Sequence, residues 1–517
     1  MHTMMRSIAV LLAGLLALSL GQHAAPRPRR PPSLALFKQG TARHSFGARA
    51  SSAIFHPSAF GADPTGKNDS TLALQAAINA ALDVVIPAAH FIGNASDAGG
   101  ATVDLEGGEY RVSSPLWLRQ GVGGVRICCG SLLADPAFPN GHFLVNTEGG
   151  AEDITVEDMA FECGRRGGAV STSGTLRVHL ARLYVAHFAG GPGLRISKGH
   201  EVHVTDSFLG EFLWGEPGSG TGTSGSNLTG TAIEIDGQDH WISDVIVFSA
   251  RYGIVLNGGA LVLSNTHIYN GGEEGLRIVG AATRVLGCYF DNGDGHAGAA
   301  RVVAIDPTAV DVSHNMFLGA TSIELRSSGK PGAAVAGFHA VHNQFIVGNG
   351  VPRPQPWEGV YLNQSAGPFA AVNGTVVDRN ANPPQRYGTY LGLSMHLRGT
   401  AVRRTLRQKS AKRWRFDVGD ALLFPPAVAP LRASFTVEAE AGFPEAVLRP
   451  IAVSDPPGSA STEAGGGGGG GSGSVVVEVE SRAHFSGAVH LTVWQGDAVE
   501  TAGTGAAYPI SATTGQR

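Results

Sequence analysis

The chain has 517 residues, of which 73 are glycine, 43% are hydrophobic and 15% are charged. It is too hydrophobic to be disordered throughout, and its glycines follow no G-X-Y period, which excludes collagen. A formal net charge of −4 argues against a protein that coats nucleic acid. Many short strands joined by tight turns are typical of a glycine-rich, weakly charged chain of this size.

The N-terminus has the pattern of a secretory signal peptide. Arg6 precedes an apolar stretch, Ile8–Leu20, which is too short to span a bilayer comfortably. We expect a signal peptide over residues 1–21, with cleavage between Leu20 and Ala25, and a linker over 22–55. The expected product is a secreted protein, and an uncleaved signal anchor is the alternative.

The first regular element is predicted to be an amphipathic helix. Asp69, Ser70 and Thr71 are residues that favour helix N-termini. Apolar residues then follow at the spacing i, i+3, i+4, i+7 and i+8 of one helix face. These residues are Leu74, Ala77, Ile78, Ala81 and Leu82.

Short hydrophobic segments then recur every 21–29 residues, with one interval of 38 residues that contains a Gly/Ser-rich insertion. The segments begin at Val156, Leu180, Val204, Ile242, Leu263, Leu286, Val312 and Val341. Units this short cannot bury a hydrophobic face alone and must stack. We therefore expect an all-β fold, a parallel β-helix over residues 56–400 with rungs about 4.8 Å apart, whose open end the helix plugs.

Two columns of side chains are expected to follow from this stacking. One lies on the outside of each second strand and consists of Arg195, Glu234, Val255, Arg277, Ala304 and Glu324. The other lies at a turn and consists of Asp158, Arg182, Asp206, Asp244, Asn265, Cys288, His314 and Asn343. Asp and Asn in a turn hydrogen-bond to neighbouring backbone groups, so Asp206 and Asp244 are predicted to be structural.

The pattern changes near residue 401, where longer alternating segments predict a small antiparallel β domain over residues 401–517, with a glycine-rich loop at 465–474. The four cysteines are too few to form a disulfide framework. At most one of Cys128 and Cys129 is expected to pair, with Cys163 as the partner considered, while Cys288 is expected to be a buried hydrophobe. No zinc-type spacing occurs, so no metal and no cofactor are expected.

Several segments resemble one known family. They include FGADPTGKNDSTLALQAAI (60–78), GGATVDLEGGEYRVSSPLWL (99–118), RICCGSLLADPAFP (126–139) and LLFPP (422–426). Together they resemble the plant QUARTET-type polygalacturonases, divergent relatives of glycoside hydrolase family 28 in the pectate-lyase superfamily. The resemblance covers residues 55–495 and implies a right-handed parallel β-helix that hydrolyses α-1,4-galacturonan. The NTD, DD, GHG and RIK motifs of family 28 are missing, so its catalytic residues cannot be assigned by motif.

Candidate catalytic residues come instead from the outward column. Hydrolysis of a glycosidic bond needs two carboxyls. Glu273 and Glu274 lie four and three residues before Arg277 of the column, where the family strand begins with its DD pair. Adjacent carboxyls repel, which raises one pKa and suits that group to act as the acid. The predicted substrate-binding residues are Arg251, Tyr252, Arg277, Arg301, His187 and His296.

Further carboxylates on neighbouring loops are also candidates. Asp291 and Glu211 are predicted as alternative catalytic residues, with Glu216 near the insertion, whereas Asp294 is predicted to be a turn former. His267 is a further possible sugar ligand. The competing interpretation is that the Arg and Glu side chains form a surface ion-pair ladder.

The sequence therefore predicts a secreted, monomeric hydrolase whose partner is an acidic polysaccharide, with no nucleic acid and no membrane after signal cleavage. A lyase of the same fold is one alternative, although lysine is nearly absent and no Asp-rich calcium cluster is evident. A non-catalytic wall-binding or structural protein is the other. Unsaturated products would identify the lyase, and binding without new reducing ends would identify the binder.

Overall fold

The computed structural model describes residues 53–86, 91, 93–213, 216, 228–269, 272–292, 299–319, 321–346, 358–382, 397–424, 429, 431–439, 446–449, 452–454 and 474–495. The predicted signal peptide, most of the linker and the glycines at 465–471 lie outside these residues. Among the described residues, no helix has the length and apolar character that crossing a membrane requires.

The chain winds through successive coils, and each coil contributes strands to three faces of a right-handed parallel β-helix, as predicted. The strands of the first face are Ile54–Phe55, Ser96–Asp104, Val122–Ala134, Glu152–Glu162, Leu176–Ala186, His200–Thr205, Trp241–Ser243, Leu261–Ser264, Thr283–Leu286, Asp311–Ser313, His339–Val341 and Val376–Asp378. Parallel neighbours pair residue for residue along the axis, so side chains of equivalent positions form continuous columns.

A tight turn leads from the first face to the second. Three long strands, Val122–Ala134, Glu152–Glu162 and Leu176–Ala186, continue through this turn and belong to both faces. The remaining strands of the second face are Thr65–Asp69, Glu109–Val112, Phe208–Gly210, Ile246–Phe248, His267–Tyr269, Tyr289–Asn292, Met316–Gly319 and Gln344–Ile346.

Longer loops lead to the third side of the coil, which we call the ten-stranded face. Its strands are Leu116–Leu118, Phe143–Glu148, Gly168–Ser173, Pro192–Ser197, Thr231–Gln238, Tyr252–Gly259, Glu274–Ile278, Ala299–Ile305, Ile323–Arg326 and Val360–Asn363. A separate parallel pair, Ala334–Ala336 with Ala371–Asn373, follows this face in the last coils.

Apolar side chains from all three faces fill the interior as one continuous core. Phe290, Phe317 and Phe345 stack along the axis with ring centroids 4.9 and 4.7 Å apart. The outward column of the ten-stranded face runs as predicted except at one position, where Val303 pairs with Arg277 and Glu324. Ala304 was assigned wrongly: it pairs with Ile278 and points into the core, because the register shifts just before it.

The turn between the first two faces needs left-handed backbone at every coil. Asp206 and Asp244 have φ near +50° there, at 48° and 57°, and Asn265 has φ of 49°. The column was predicted one residue too far in two coils, where Gly287 and His342 adopt the left-handed conformation in place of Cys288 and Asn343.

A buried amide ladder occupies the next position of this turn. The side-chain oxygens of Asn315, Asn343 and Asn380 accept the backbone N–H of Cys288, Asn315 and Asn343 at 2.8, 3.0 and 2.9 Å. Their amide groups donate to carbonyls of the preceding coil. The ladder thus satisfies buried backbone groups that the bend removes from the sheets.

Both ends of the β-helix core are covered. At the N-terminal end the helix Thr71–Leu82 places its predicted apolar residues in the core, following a 3-10 turn at Pro57–Phe60. Ser70 precedes the helix, but its hydroxyl accepts the N–H of Asp63 at 2.9 Å and does not cap the helix. At the other end Leu423 and Phe424 join the core.

The C-terminal region is an antiparallel sheet, as predicted. Its strands are Ala401–Asp417, Leu431–Ala439, Ala446–Leu448, Ala452–Ser454 and Ser474–Gln495, with a 3-10 turn at Gly419–Ala421. The long strand Ser474–Gln495 pairs with all four others. This sheet has its own core around Trp414 and Phe485, whose rings stack at 4.2 Å.

Candidate active site

The predicted glutamate pair lies at the edge of the ten-stranded face. Glu273 immediately precedes the strand Glu274–Ile278, in which Glu274 pairs with Tyr252 of the coil before it. Consecutive residues of an extended chain point in opposite directions. The two carboxylates therefore have different surroundings, and the structure does not bring them together as an interacting pair.

Glu273 is the exposed member, with 46% of its side chain accessible. Its Oε1 accepts a hydrogen bond from Nε of Arg251 at 2.8 Å, and its Oε2 accepts one from the Tyr252 hydroxyl. The Tyr252 hydrogen bond, followed by those of Arg251, holds the pKa of Glu273 below its ordinary value. Glu273 is therefore an ionised carboxylate in reach of solvent.

Glu274 is almost completely buried, with 3% of its side chain accessible. Nε of Arg277 donates to its Oε2 at 2.6 Å, and Nη1 of Arg326 donates to its Oε1 at 2.9 Å. A carboxylate removed from water needs this pairing. Deleting one partner of a buried ion pair lowers the free energy of unfolding by about 3–5 kcal/mol. Arg326 was not predicted as a site residue.

A second buried carboxylate, Glu324, lies on the same face with 1% of its side chain accessible. It accepts hydrogen bonds from Nε of Arg326 and the Tyr361 hydroxyl, both at 2.6 Å, and from Asn363 at 2.8 Å. Burial acts to raise the pKa of Glu324, but the donors outweigh it and the pKa lies below its ordinary value. Arg326 therefore bridges two buried carboxylates, Glu274 and Glu324.

Arg301 occupies the position where the register shifts between neighbouring strands. Glu274 pairs with Ala299 but Leu276 pairs with Val302, so the strand bulges by one residue next to Arg301. Its Nη1 lies 3.4 Å from Oε2 of Glu324 and 3.5 Å from the Tyr361 hydroxyl. Its Nε is buried with no hydrogen-bond partner among the described residues. Arg301 thus contacts Glu324 and Tyr361.

We call these side chains the groove cluster: Arg251, Tyr252, Glu273, Glu274, Arg277, Arg301, Glu324, Arg326, Tyr361 and Asn363. Tyr252 lies at its centre, with the guanidinium carbons of Arg277 and Arg251 at 4.4 and 5.2 Å from the centroid of its ring. The cluster holds four guanidiniums and three carboxylates. It therefore carries one positive charge in excess, which suits it to an anionic ligand.

Glu211, predicted as an alternative catalytic residue, lies in a buried, hydrogen-bonded position. Its carboxylate is buried and accepts the N–H and hydroxyl of Thr229 at 2.7 and 2.8 Å and the N–H of Gly230 at 2.8 Å. Burial raises the pKa of Glu211 above its ordinary value. The residue closes the base of the insertion between residues 213 and 228, and its oxygens are occupied by backbone and hydroxyl donors.

His187 lies between two carboxylates at the start of the loop leading to the ten-stranded face. Its Nδ1 is 2.7 Å from Oε2 of Glu162, and its Nε2 is 3.0 Å from both carboxylate oxygens of Glu216. A neutral imidazole has only one N–H, so donation to both partners requires the protonated ring. Arg165 adds a further ion pair to Glu216 at 3.5 Å.

The remaining candidates lie elsewhere. Asp291 belongs to the second face, where it pairs with Tyr269 and Leu318, and is not part of the groove cluster. His267 lies on that same face against Tyr269 and Tyr289. His296 and Asp294 fall outside the described residues.

A search with family models found no match. One curated relative, polygalacturonase QRT3 of Arabidopsis thaliana, is 31% identical over 461 residues, which cover 86% of this chain and 84% of the relative. Among solved structures, the Streptococcus pneumoniae adhesin PfbA superposes with a TM-score of 0.46 at 13% identity, covering 63% of this chain and 91% of PfbA.

A Streptomyces thermodiastaticus GH87 α-1,3-glucanase superposes with a TM-score of 0.39 at 17% identity, covering 67% of this chain and 68% of the enzyme's catalytic unit. The structural likenesses are too distant to bear on function. The sequence relationship extends over most of both chains. On that relationship, this chain belongs to the polygalacturonase family that includes Arabidopsis QRT3.

Proposed function

We propose that the protein is a secreted hydrolase of galacturonan, and that the groove cluster is its active site. The observation that carries this proposal is the excess of one guanidinium over the carboxylates of the cluster, on a face that also presents an exposed, ionised Glu273. Galacturonan carries one carboxylate per sugar, and arginine binds carboxylates with two parallel hydrogen bonds. Membership of a polygalacturonase family supports the same substrate class.

Glu273 is suited to the role of base or nucleophile. Its carboxylate is exposed, and hydrogen bonds from Tyr252 and Arg251 hold its pKa low, so it is ionised when substrate arrives. Either role requires the deprotonated form: an inverting enzyme uses it to activate water, and a retaining enzyme uses it to attack the sugar. Tyr252 carries the guanidiniums of Arg277 and Arg251 over its ring and so keeps both cations beside Glu273.

Glu274 is our choice for the proton donor. It is buried and depends on Arg277 and Arg326 for its charge balance. Because Glu274 points away from Glu273 and only 3% of its side chain is accessible, it reaches the leaving oxygen only if a galacturonate carboxylate draws Arg277 away from it. A carboxyl released from Arg277 in this way can take the role of the acid, which protonates the leaving oxygen.

The test is a reducing-end assay of the secreted chain on polygalacturonate, rhamnogalacturonan and alginate. We expect activity on polygalacturonate and a loss of about 10²–10⁴-fold in kcat for Glu273→Gln and Glu274→Gln. Glu234→Gln is the matched control, since Glu234 lies on the same face and is 3.9 Å from Arg195. Near-normal rates in both site variants would rule out the glutamate assignment, and ultraviolet-absorbing products would identify a lyase.

One observation favours a second candidate function, that of a non-catalytic galacturonan-binding protein. Each carboxylate of the groove cluster is held in an ion pair, as a static binding surface would also be. This candidate predicts that acidic oligosaccharides bind and that no new reducing ends form.

N-terminal sequencing of the extracellular protein tests secretion: a start between residues 21 and 25 supports it, and a start near Met1 contradicts it.

A further inference from the structure

Cys128 and Cys129 lie at the turn where the strand Val122–Ala134 passes from the first face to the second. Cys128 pairs with Glu157 of the next coil and Gly130 pairs with Met159, so Cys129 is skipped by the ladder on that side. Its φ is +69°, the left-handed conformation shared by equivalent turn residues of other coils. All four cysteines are unpaired in the structure, so neither Cys128 nor Cys129 is bonded to Cys163 there.

The two sulfur atoms of this pair lie 2.6 Å apart. Neighbouring side chains of a regular strand point to opposite faces, which would keep the sulfurs well separated. The left-handed conformation of Cys129 breaks that alternation and brings both side chains to one side of the backbone. The two sulfurs are therefore direct neighbours, with no other group between them.

The backbone around the pair is held from the preceding coil. The carbonyls of Cys128 and Cys129 accept the N–H groups of Leu105 and Gly107 at 2.9 and 2.6 Å. Cys128 is buried. Cys129 is partly exposed, so it is the sulfur that a dissolved oxidant reaches first.

We propose that Cys128 and Cys129 are a redox site that closes to a disulfide between adjacent residues. The oxidant is a low-molecular-weight disulfide such as oxidised glutathione. The Cys129 thiolate attacks one glutathione sulfur, forms a mixed disulfide and releases one glutathione thiolate, which takes up a proton. The Cys128 sulfur then gives up its proton and attacks Cys129, releasing the second glutathione. Two protein thiols are oxidised and one disulfide is reduced to two thiols.

Such a bond differs from a structural disulfide in two respects. It closes a ring within two residues, so it removes almost no chain entropy from the unfolded state. The Cα atoms of adjacent residues are also about 3.8 Å apart, shorter than the usual range of about 4.4–6.8 Å across a disulfide. Bonds outside that range are the more easily reduced ones. The pair is therefore suited to reversible oxidation and not to stapling the fold.

A metal ion is the rival occupant. The carboxylate of Asp104 and the two thiol sulfurs lie within 4.8 Å of one another, the sole such group of three among the described residues. Thiolates are ligands for soft metals. A metal would hold both sulfurs reduced, which makes the two interpretations separable by thiol chemistry.

The experiment uses the full-length secreted chain, treated with a chelator and then with oxidised glutathione, denatured and alkylated. Trypsin cuts after Arg126 and Arg165, and a Glu-specific protease cuts after Glu148, which leaves Cys163 on another peptide. We expect the peptide of residues 127–148 to be two hydrogen atoms lighter than its dithiol form and to carry no alkyl group. After reduction it should carry two.

Cys163 and Cys288 are internal controls and should be alkylated in both samples. In Cys129→Ser the 127–148 peptide should lose the oxidised form, whereas Cys288→Ser should retain it. Full alkylation of both sulfurs after glutathione treatment would overturn the proposal. So would a bond from either sulfur to Cys163, or protection of both thiols by Zn²⁺ alone that the chelator reverses.

Discussion

Two clusters of Arg and acidic side chains differ in how much water reaches their most buried carboxylates. The groove cluster keeps Glu274 and Glu324 at 3% and 1% exposure. A second cluster, which we call the turn ladder, consists of Arg126, Glu157, Asp158 and Arg182 on the outside of the turn between the first two faces. There Arg182 is 48% exposed and Asp158 is 41% exposed.

The geometry of the turn ladder is no worse than that of the groove cluster. Arg182 donates to both oxygens of Asp158 at 2.6 and 2.9 Å and to Glu157 at 2.5 Å. Hydrogen-bond length therefore does not distinguish the clusters. Burial does: an exposed pair contributes little because water replaces each partner, whereas a buried carboxylate depends on its cation.

The largest difference in the free energy of unfolding is expected for Arg326, which bridges Glu274 and Glu324. Arg326→Met removes one partner from each of two buried carboxylates and should lower the free energy of unfolding by about 3–5 kcal/mol. Urea denaturation followed by circular dichroism measures it. The matched control, Arg182→Met in the turn ladder, should cost far less. Equal losses in the two variants would mean that burial does not separate the clusters.

The second largest effect is expected on the affinity for an acidic oligosaccharide, which should depend on the groove cluster and not on the turn ladder. Arg301 has the longest contacts in the groove cluster and carries a buried Nε without a partner among the described residues. Arg301→Met should weaken binding of an oligogalacturonate by about 1.5–3 kcal/mol, roughly 10- to 100-fold in Kd. Calorimetry measures it, with the methyl-esterified oligosaccharide as the neutral ligand. An equal loss for Arg182→Met would contradict the assignment.

Acid should weaken the buried cluster through Glu324. Its pKa lies below the ordinary value of 4.5, so its ionised form contributes stability above that pH, and the contribution is lost as pH falls through the lowered pKa. The stability difference between wild type and Glu324→Gln should therefore be largest near pH 7 and shrink below about pH 4.5. Denaturation midpoints at several pH values measure it, and a difference that grows on acidification would contradict it.

The smallest effect is expected in the turn ladder itself. Arg182→Met should cost about 0–1 kcal/mol at low salt, and this cost should fall further in 1 M salt, where charges are screened beyond about 3 Å. Urea denaturation at two salt concentrations measures both values. A loss above 2 kcal/mol that salt does not reduce would place this cluster with the buried one.

The fold could be predicted from the sequence because its determinants are local and repeated. Each coil carries its own alternating apolar segments, so the spacing from Val156 to Val341 was enough to predict stacked strands. The exchange of Val303 and Ala304 shows the limit. Both residues are small and apolar, and alternation alone does not show which of them faces outwards once a bulge shifts the register.

The site was harder to predict because its contacts cross coils. Arg251, Tyr252, Glu273, Glu274, Arg277 and Arg301 were singled out from the repeat, and all lie in the groove cluster. Arg326 was missed because it reaches Glu274 from two coils away, a distance set by side-chain length and not by spacing. Arg326 could have been found from the sequence, because Glu324 and Arg326 are alternate residues of one strand and so face the same side. Glu211 was predicted to be catalytic because it precedes the insertion, and its partners Thr229 and Gly230 lie 18 and 19 residues away, too far for the sequence to show the contact.

The Glu211 clamp has a consequence for how this protein can be altered. Because Glu211 binds Thr229 and Gly230 directly, the chain before the insertion and the chain after it are joined at this contact. The pairing of the strands before and after the insertion does not depend on the number of residues in the insertion. The chain between Glu216 and Leu228 is therefore expected to tolerate exchange: loops of other lengths and compositions could be grafted there while Glu211, Thr229 and Gly230 keep the coil closed.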